Sequence, residues 1–326
     1  MRKLPLFSAA LLVVSCIGLI PLGLGAQQPA KLSRIGILWH GAAPPASPRM
    51  ESLREGLREA GYVEGQNVVI ELRYSTDLER LRELATELVQ AHVDVIASYG
   101  DLAPRAAQRA TTQVPIVAIA DDFLGAGLAQ SLGRPGGNTT GITIMSPELS
   151  AKRLALLKEL RPRLSRVAVV WDPGSAPSQR KFTEDAARTL RIELQVLEVR
   201  SRADLASAFD RAREERVEAF NVLASPLLSS LQSEIESRVT KMRLPAIYQW
   251  REHAVAGGLL SYGPSLGAMW QQSAHVVARV LKGAKPGELP VEQPAKFELV
   301  VNQKTAKALG LTIPNSLLVQ ATEIIE

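Results

Sequence analysis

The stretch Gly133 to Met145, GRPGGNTTGITIM, decides how the chain is read. Glycine and proline make a rigid turn at its start, and the β-branched residues from Thr139 onward read as a short strand. Ahead of it lie about four strand–helix units, and after it about four more. A single strand fed by such a turn, between two similar runs, reads as a crossover between two α/β lobes. One more unit in a single large sheet is the competing reading. A chain of 326 residues favours the division into two.

Working outward, strands are expected over 34–40, 68–74, 93–98 and 115–120. Helices are expected over 50–60, 78–91 and 104–111, with a short one at 128–132. In the first helix Met50, Leu53, Leu57 and Ala60 share a face, Arg54, Glu55, Arg58 and Glu59 point outward, and Gly61 ends it. Beyond the crossover, helices are expected over 147–160, 178–190, 203–213, 229–242 and 266–282. Strands are expected over 166–171, 192–199, 219–224, 245–248 and 297–301. GGLLSYG at 257–263 reads as a second crossover, 283–294 as a Gly/Pro linker, and the chain closes with a small helix at 304–309 and an apolar tail. The strands are continuous apolar runs, as in parallel sheets covered on both faces.

Composition narrows the function. The sequence is 46% hydrophobic and 22% charged with a net charge of +5, enough apolar residue for a sizeable core. Basic residues are dispersed among acids, so no nucleic-acid partner is expected. Arg2 and Lys3 precede a largely apolar run to Leu24, and Gly25-Ala26 then meets polar Gln27-Gln28. This is the pattern of a secretory signal over 1–26, cleaved after Ala26; a retained membrane anchor is the alternative. The sole cysteine, Cys16, lies in that segment. Its surroundings loosely match a lipoprotein signal, but apolar rather than polar residues follow. Cleavage after Ala26 leaves no thiol nucleophile and no disulfide.

Catalytic and cofactor motifs are absent. There is no HExxH, CxxC, GxSxG or GxxxxGK[ST], and His40, His92, His253 and His275 are scattered. GAGLAQ at 125–130 lacks the third glycine of a dinucleotide turn. No metal or cofactor is expected, and no enzyme. What remains is position. Of the four Trp and five Tyr, Trp39, Tyr99, Trp171, Tyr248, Trp250 and Tyr262 fall at or near strand ends or the second crossover. In open α/β sheets that edge binds ligands. His40, Ser98, Asp121, Asp122, Asp172, Ser225 and Glu252 accompany them, giving aromatic walls with a few polar groups. Taken singly, each aromatic reads first as packing at a strand end; taken together, their bias toward one edge of both sheets favours a cleft. Asp172 is equally a turn residue, and Asp121 and Asp122 equally helix caps.

RPGGNTTG at 134–141, SYG at 98–100, REHAVAGGLLSYGP at 251–264 and GAKPGELPVEQPAKFELVVNQKTAKALGLTIP at 283–314 resemble the ABC-transporter substrate-binding protein family that includes tryptophan- and tyrosine-binding members. The resemblance spans about 32–326. It implies a type I periplasmic-binding-protein fold, with two doubly wound parallel-sheet lobes joined by three hinge segments and closing on a ligand. The lobes would comprise 32–144 plus 265–285, and 145–264 plus 295–326. Phe123 stands where the family usually has Pro after the acidic Asp122, and Ala224-Ser225-Pro226 where relatives often carry Gly-Asp-Pro. The implied protein is periplasmic and monomeric. It binds an amino acid or carboxylate with an aromatic ring and delivers it to an inner-membrane ABC permease and ATPase complex. A ligand-presenting partner of a membrane sensor, or a periplasmic enzyme on the same fold, are the alternatives. Tyr99, Tyr248 and Trp39 or Trp171 are expected to enclose the ring, Ser98 and Ser225 to hold a carboxylate, and Asp122 or Glu252 an ammonium. Tyr99→Ala is expected to weaken binding without unfolding the protein.

Overall fold

The computed structural model describes residues 32–41 and 48–326; the expected signal segment, with Cys16, and most of the first loop lie outside them. The first lobe runs β1 (Ser33–His40), α1 (Pro48–Glu59), β2 (Val68–Ser75), α2 (Leu78–Gln90), β3 (Val95–Tyr99), α3 (Leu102–Ala110), β4 (Ile116–Ala120) and β5 (Thr139–Thr143). Its strands are all parallel, in the order β2-β1-β3-β4-β5. Strands β3, β4 and β5 are buried throughout, which is why they read as unbroken apolar or small-residue runs. One face carries Ile35, Ile37, Val95 and Val117 against α1. The other carries Leu38 and Ile96 against α2 and α3.

The second lobe runs α4 (Ser146–Leu160), β6 (Arg166–Trp171), α5 (Pro177–Leu190), β7 (Glu193–Glu198), α6 (Asp204–Glu214), β8 (Ala219–Val222), α7 (Pro226–Ser230), α8 (Gln232–Met242), β9 (Ala246–Tyr248), α9 (Arg251–Val255) and β10 (Leu260–Pro264). After α10 (Leu266–Leu281) come β11 (Phe297–Asn302), α11 (Gln303–Leu309), α12 (Asn315–Gln320) and β12 (Glu323–Ile325). The sheet order is β12-β11-β10-β9-β8-β6-β7, parallel except where β11 runs against β10. This too is a doubly wound α/β layer, with α6 and α8 on one face and α4, α11 and α12 on the other.

Three segments cross between the sheets. The first leaves β5 through Ile144 and Met145, and Met145 holds a left-handed φ of 59° before α4 begins. The second leaves β10 and enters α10, which returns to the first lobe. There α10 packs on α1 so closely that a Cβ at Gly56 would stand 2.5 Å from the Gln271 carbonyl oxygen. The third runs through a 3-10 turn, Pro286–Glu288. It ties to the first sheet by Glu292 N–H to the Gly141 carbonyl (2.8 Å) and Thr143 N–H to the Glu292 carbonyl (2.9 Å), and then enters β11. Gly141 is required in β5: its φ is 143°, and a Cβ would lie 1.8 Å from the Ala118 carbonyl oxygen.

Several sequence expectations shift. Residues 123–127 form turns and 128–132 an irregular run of bends rather than a helix, because Gly127 is left-handed and Pro135 follows closely. The expected helix at 229–242 is two, α7 and α8, with α7 starting earlier at Pro226. The stretch 257–263 contains strand β10 itself, and the crossing comes after it. The apolar tail contains α12 and β12, and the short α9 follows β9.

A candidate ligand site between the lobes

The carboxyl ends of both sheets face one another, as the connections dictate. The turn after β4 supplies Asp121 and Asp122. Asp121 accepts the Ser146 hydroxyl at 2.6 Å, at the first turn of α4, and the Gln249 amide reaches the same hydroxyl at 3.5 Å. Asp122 Oδ2 accepts the Ser178 hydroxyl at 2.6 Å, a bond from the first lobe to α5 of the second. Gly100, in the SYG loop, lies opposite Pro226: a Cβ there would come within 3.7 Å of the proline ring. The two lobes therefore meet through the loops in which sequence placed the site.

Arg153 is the group that sequence reading missed. It lies two turns into α4 and is fully buried. Its Nη1 donates to the Tyr262 carbonyl at 3.1 Å, whereas Nε and Nη2 are sealed from water with no partner. Burial pushes the guanidinium down to about 9, against the field of Asp121, which raises it. Asp121 feels Arg153 in turn, but among the described residues no ion pair joins the two. Burial outweighs the Ser146 hydrogen bond and the Arg153 field and lifts Asp121 to about 6. Asp101 sits behind it, accepting the Asp121 N–H at 2.9 Å, and burial with the adjacent Asp121 charge lifts it to about 8. Asp172 adds its field to Asp121 from the second lobe. Gln249 Oε1, in the loop after β9, and Ser261 Oγ, on β10, are also sealed without partners.

The aromatic residues divide into two groups. Trp39 is half-buried, with its ring 5.7 Å from those of Tyr99 and Trp270. Tyr99 stacks on Trp270 at 3.8 Å inside the first core, and burial pushes its phenol pKa upward. Trp250, Tyr262 and Phe297 pack against the same cluster from the crossings. Tyr99 is thus a buttress rather than a wall, and Tyr99→Ala would remove core, at a cost of about 3–5 kcal/mol, contrary to the expectation of a stable variant. Trp270 went unnoticed because its α10 face reads as ordinary core.

Of the remaining expected residues, Asp122 and Asp172 lie close enough for their charges to act on Asp121. Tyr248 turns into the second core, stacked 4.7 Å from the His253 ring. Trp171 packs with Val169 and Leu223 under the Arg180 guanidinium. Ser98 is buried with an unpartnered hydroxyl, on the strand face opposite Tyr99. Ser225 caps α7 by accepting the Leu228 N–H at 2.9 Å, so its oxygen is engaged. Asp122 Oδ1 accepts the Gly125 N–H at 2.9 Å and Oδ2 the Ser178 hydroxyl, leaving little for an ammonium. Asp172 closes its own turn through the Gly174 N–H at 2.8 Å. Glu252 is exposed on α9 and acts on Arg49 of α1, and His40 is half-buried at the end of β1. No metal-binding cluster occurs among the described residues.

Two α/β lobes thus meet at a junction where Arg153 and Asp121 are buried near one another. The chain belongs to the family described as ABC transporter substrate binding protein, whose model matches residues 42–325. A tyrosine-binding protein of Clostridioides difficile (strain R20291) is 26% identical over 289 residues, covering 86% of this chain and 82% of that protein. The crystal structure of an ABC domain in complex with L-Trp from Streptococcus pneumonia matches with a TM-score of 0.83 at 26% identity, over 90% of this chain and 99% of that one. A conserved domain protein from Vibrio cholerae matches with a TM-score of 0.84 at 26% identity, over 90% of this chain and 100% of that one. The family is one of binding proteins rather than enzymes, with small-molecule ligands and ABC transporter partners. Among the described residues no helix is long and apolar enough to cross a membrane.

Proposed function

We propose that the protein is an exported, monomeric solute receptor that captures an α-amino acid with an aromatic ring between its lobes and delivers it to an ABC importer. The observation that carries this reading is the buried Arg153 guanidinium, with Nε and Nη2 unpartnered and no ion pair to the nearby Asp121. A zwitterion supplies what each lacks. Its carboxylate accepts from Arg153 Nε and Nη2, and its ammonium donates to Asp121. Gln249 Oε1 offers the ammonium a further acceptor. Trp39 and Tyr262 are the half-buried aromatics left to face a ring, buttressed by Tyr99 and Trp270. Ligand contacts to both lobes favour their apposition, the state a permease reads. The tyrosine and L-Trp named for the relatives point to the same ligand class.

The test is a thermal-shift screen of protein unfolded and refolded to strip bound ligand. The panel holds aromatic and aliphatic amino acids, their amides, aromatic acids, nucleosides and sugars. A ligand at about 100 times its Kd adds roughly 2.7 kcal/mol of stability. Aromatic amino acids should shift melting strongly, with loss of the shift on amidation of the carboxylate. A shift only with sugars or nucleosides would overturn the reading.

A further inference from the structure

Away from the cleft, the second lobe holds a cavity of about 180 Å³ between α8, β9, the turn at 257–259 and α11. Val239, Leu244, Leu259 and Leu309 make its wall apolar, and Tyr248, 1% exposed, lines its buried side. The chain passes so close to the Tyr248 ring that a Cβ at Gly258 would stand 2.8 Å from it. Glu236 lines the same space. Its Oε1 accepts the Gln232 amide at 2.9 Å and faces His253 Nδ1 at 3.1 Å. Its Oε2 accepts from no group among the described residues, and the Tyr248 hydroxyl has no hydrogen-bond partner there either. Burial and the neighbouring Glu236 charge push the Tyr248 phenol pKa upward, so it remains a neutral donor and acceptor beside the carboxylate.

A carboxylate oxygen and a phenol oxygen that no protein group contacts, both open to a mostly apolar cavity, suit a compact cationic donor. We propose that this cavity is a second ligand site that takes a small aliphatic ammonium ion. Its N–H groups would bond Glu236 Oε2 and the Tyr248 hydroxyl, and its hydrocarbon would lie on Val239, Leu259 and Leu309. The space equals the share of about six liquid waters, enough for a butyl chain. Glu236 disfavours an anion at the buried end, and Lys304 stands at the exposed rim. The site shares no residue with the Arg153–Asp121 cleft, so the two inferences stand or fall separately.

The experiment is a heteronuclear NMR titration of the purified protein with n-butylammonium chloride, with butanol and sodium chloride as controls. Saturable shifts are expected at the amides of Gly257, Gly258, Leu259 and Thr305, with butanol binding more weakly. Glu236→Gln should weaken n-butylammonium at least tenfold, about 1.4 kcal/mol. Because that change also alters the partner of His253, Ala308→Phe supplies an independent check. It fills the cavity from the exposed face of α11 and should abolish the shifts while leaving the melting temperature unchanged. Absence of saturable shifts at these amides in the millimolar range, equal binding of butanol, or wild-type binding by Ala308→Phe would each overturn the proposal.

Discussion

A guanidinium with two sealed and unpartnered nitrogens contributes little to a fold and much to a ligand. Replacing Arg153 by Met should therefore leave the ligand-free protein within about 1 kcal/mol of its original stability or above it. The same change should weaken carboxylate binding at least about tenfold, or 1.4 kcal/mol. Calorimetry and thermal unfolding of the one variant check this split; joint loss of binding and stability would make Arg153 a structural post instead. Asp121 gives a pH signature. Its folded-state value lies above the unfolded one, as does that of Asp101, so their stability contribution is complete below about 3.8 and lost as pH rises through about 6 and about 8. Melting of the ligand-free protein should fall over that range, and Asp121→Asn should flatten the lower part. Ligand binding runs the other way, because an ammonium needs ionised Asp121. Affinity should rise through about 6 as Asp121 ionises. Calorimetric titration across pH tests it, and a flat profile would remove Asp121 from the site. Asp121 was legible in the sequence as a polar group at a strand end. Arg153 was missed, although its place between Leu149 and Leu156-Leu157 at helical spacing sets a charge on an apolar face, the signal that could have found it. Tyr248 and Tyr99 misled because a strand end fixes where a residue sits, while the neighbouring helices, α9 and α10, decide which way its ring turns.

At the scale of elements, the buried parallel strands were read to within about two residues at most ends, because two covered faces demand unbroken apolar runs. Short elements were not. Helices α9 and α12 and strand β12 have five, six and three residues, and such lengths carry no period of their own. β12 exists because β11 offers it an edge. The antiparallel setting of β11 was likewise invisible, since it follows from the return of the chain after α10. Gly141, which closes the GRPGGNTTG stretch, is fixed by the contact of β5 with β4. Gly141→Ala should destabilise the protein by more than about 3 kcal/mol, because the methyl would collide with a backbone carbonyl and φ is unfavourable for any side chain. Urea unfolding measures this; a loss below about 1 kcal/mol would mean that β5 can move away from Ala118.

For the whole molecule, the bond from Asp122 to Ser178 is a direct tie between lobes. Ser178→Ala should remove about 1.5 kcal/mol from the apposed arrangement, with lower ligand affinity and a larger radius of gyration by small-angle scattering in ligand-free solution. Unchanged scattering and affinity would show that the tie bears no load. The division into two lobes was legible from length and rhythm, but the pairing of α10 with α1 was not, since 206 residues separate the end of one from the start of the other. That pairing governs the order in which the protein can assemble. Leu266, Met269, Trp270, Ala274, Val276, Val277 and Val280 complete the core of the lobe that is synthesised first. A ribosome that has released residues 32–264 has therefore produced every strand of that lobe and none of the helix that covers α1. The nascent chain keeps an apolar face open until more than four-fifths of it has been made, and the first lobe cannot close its core before then.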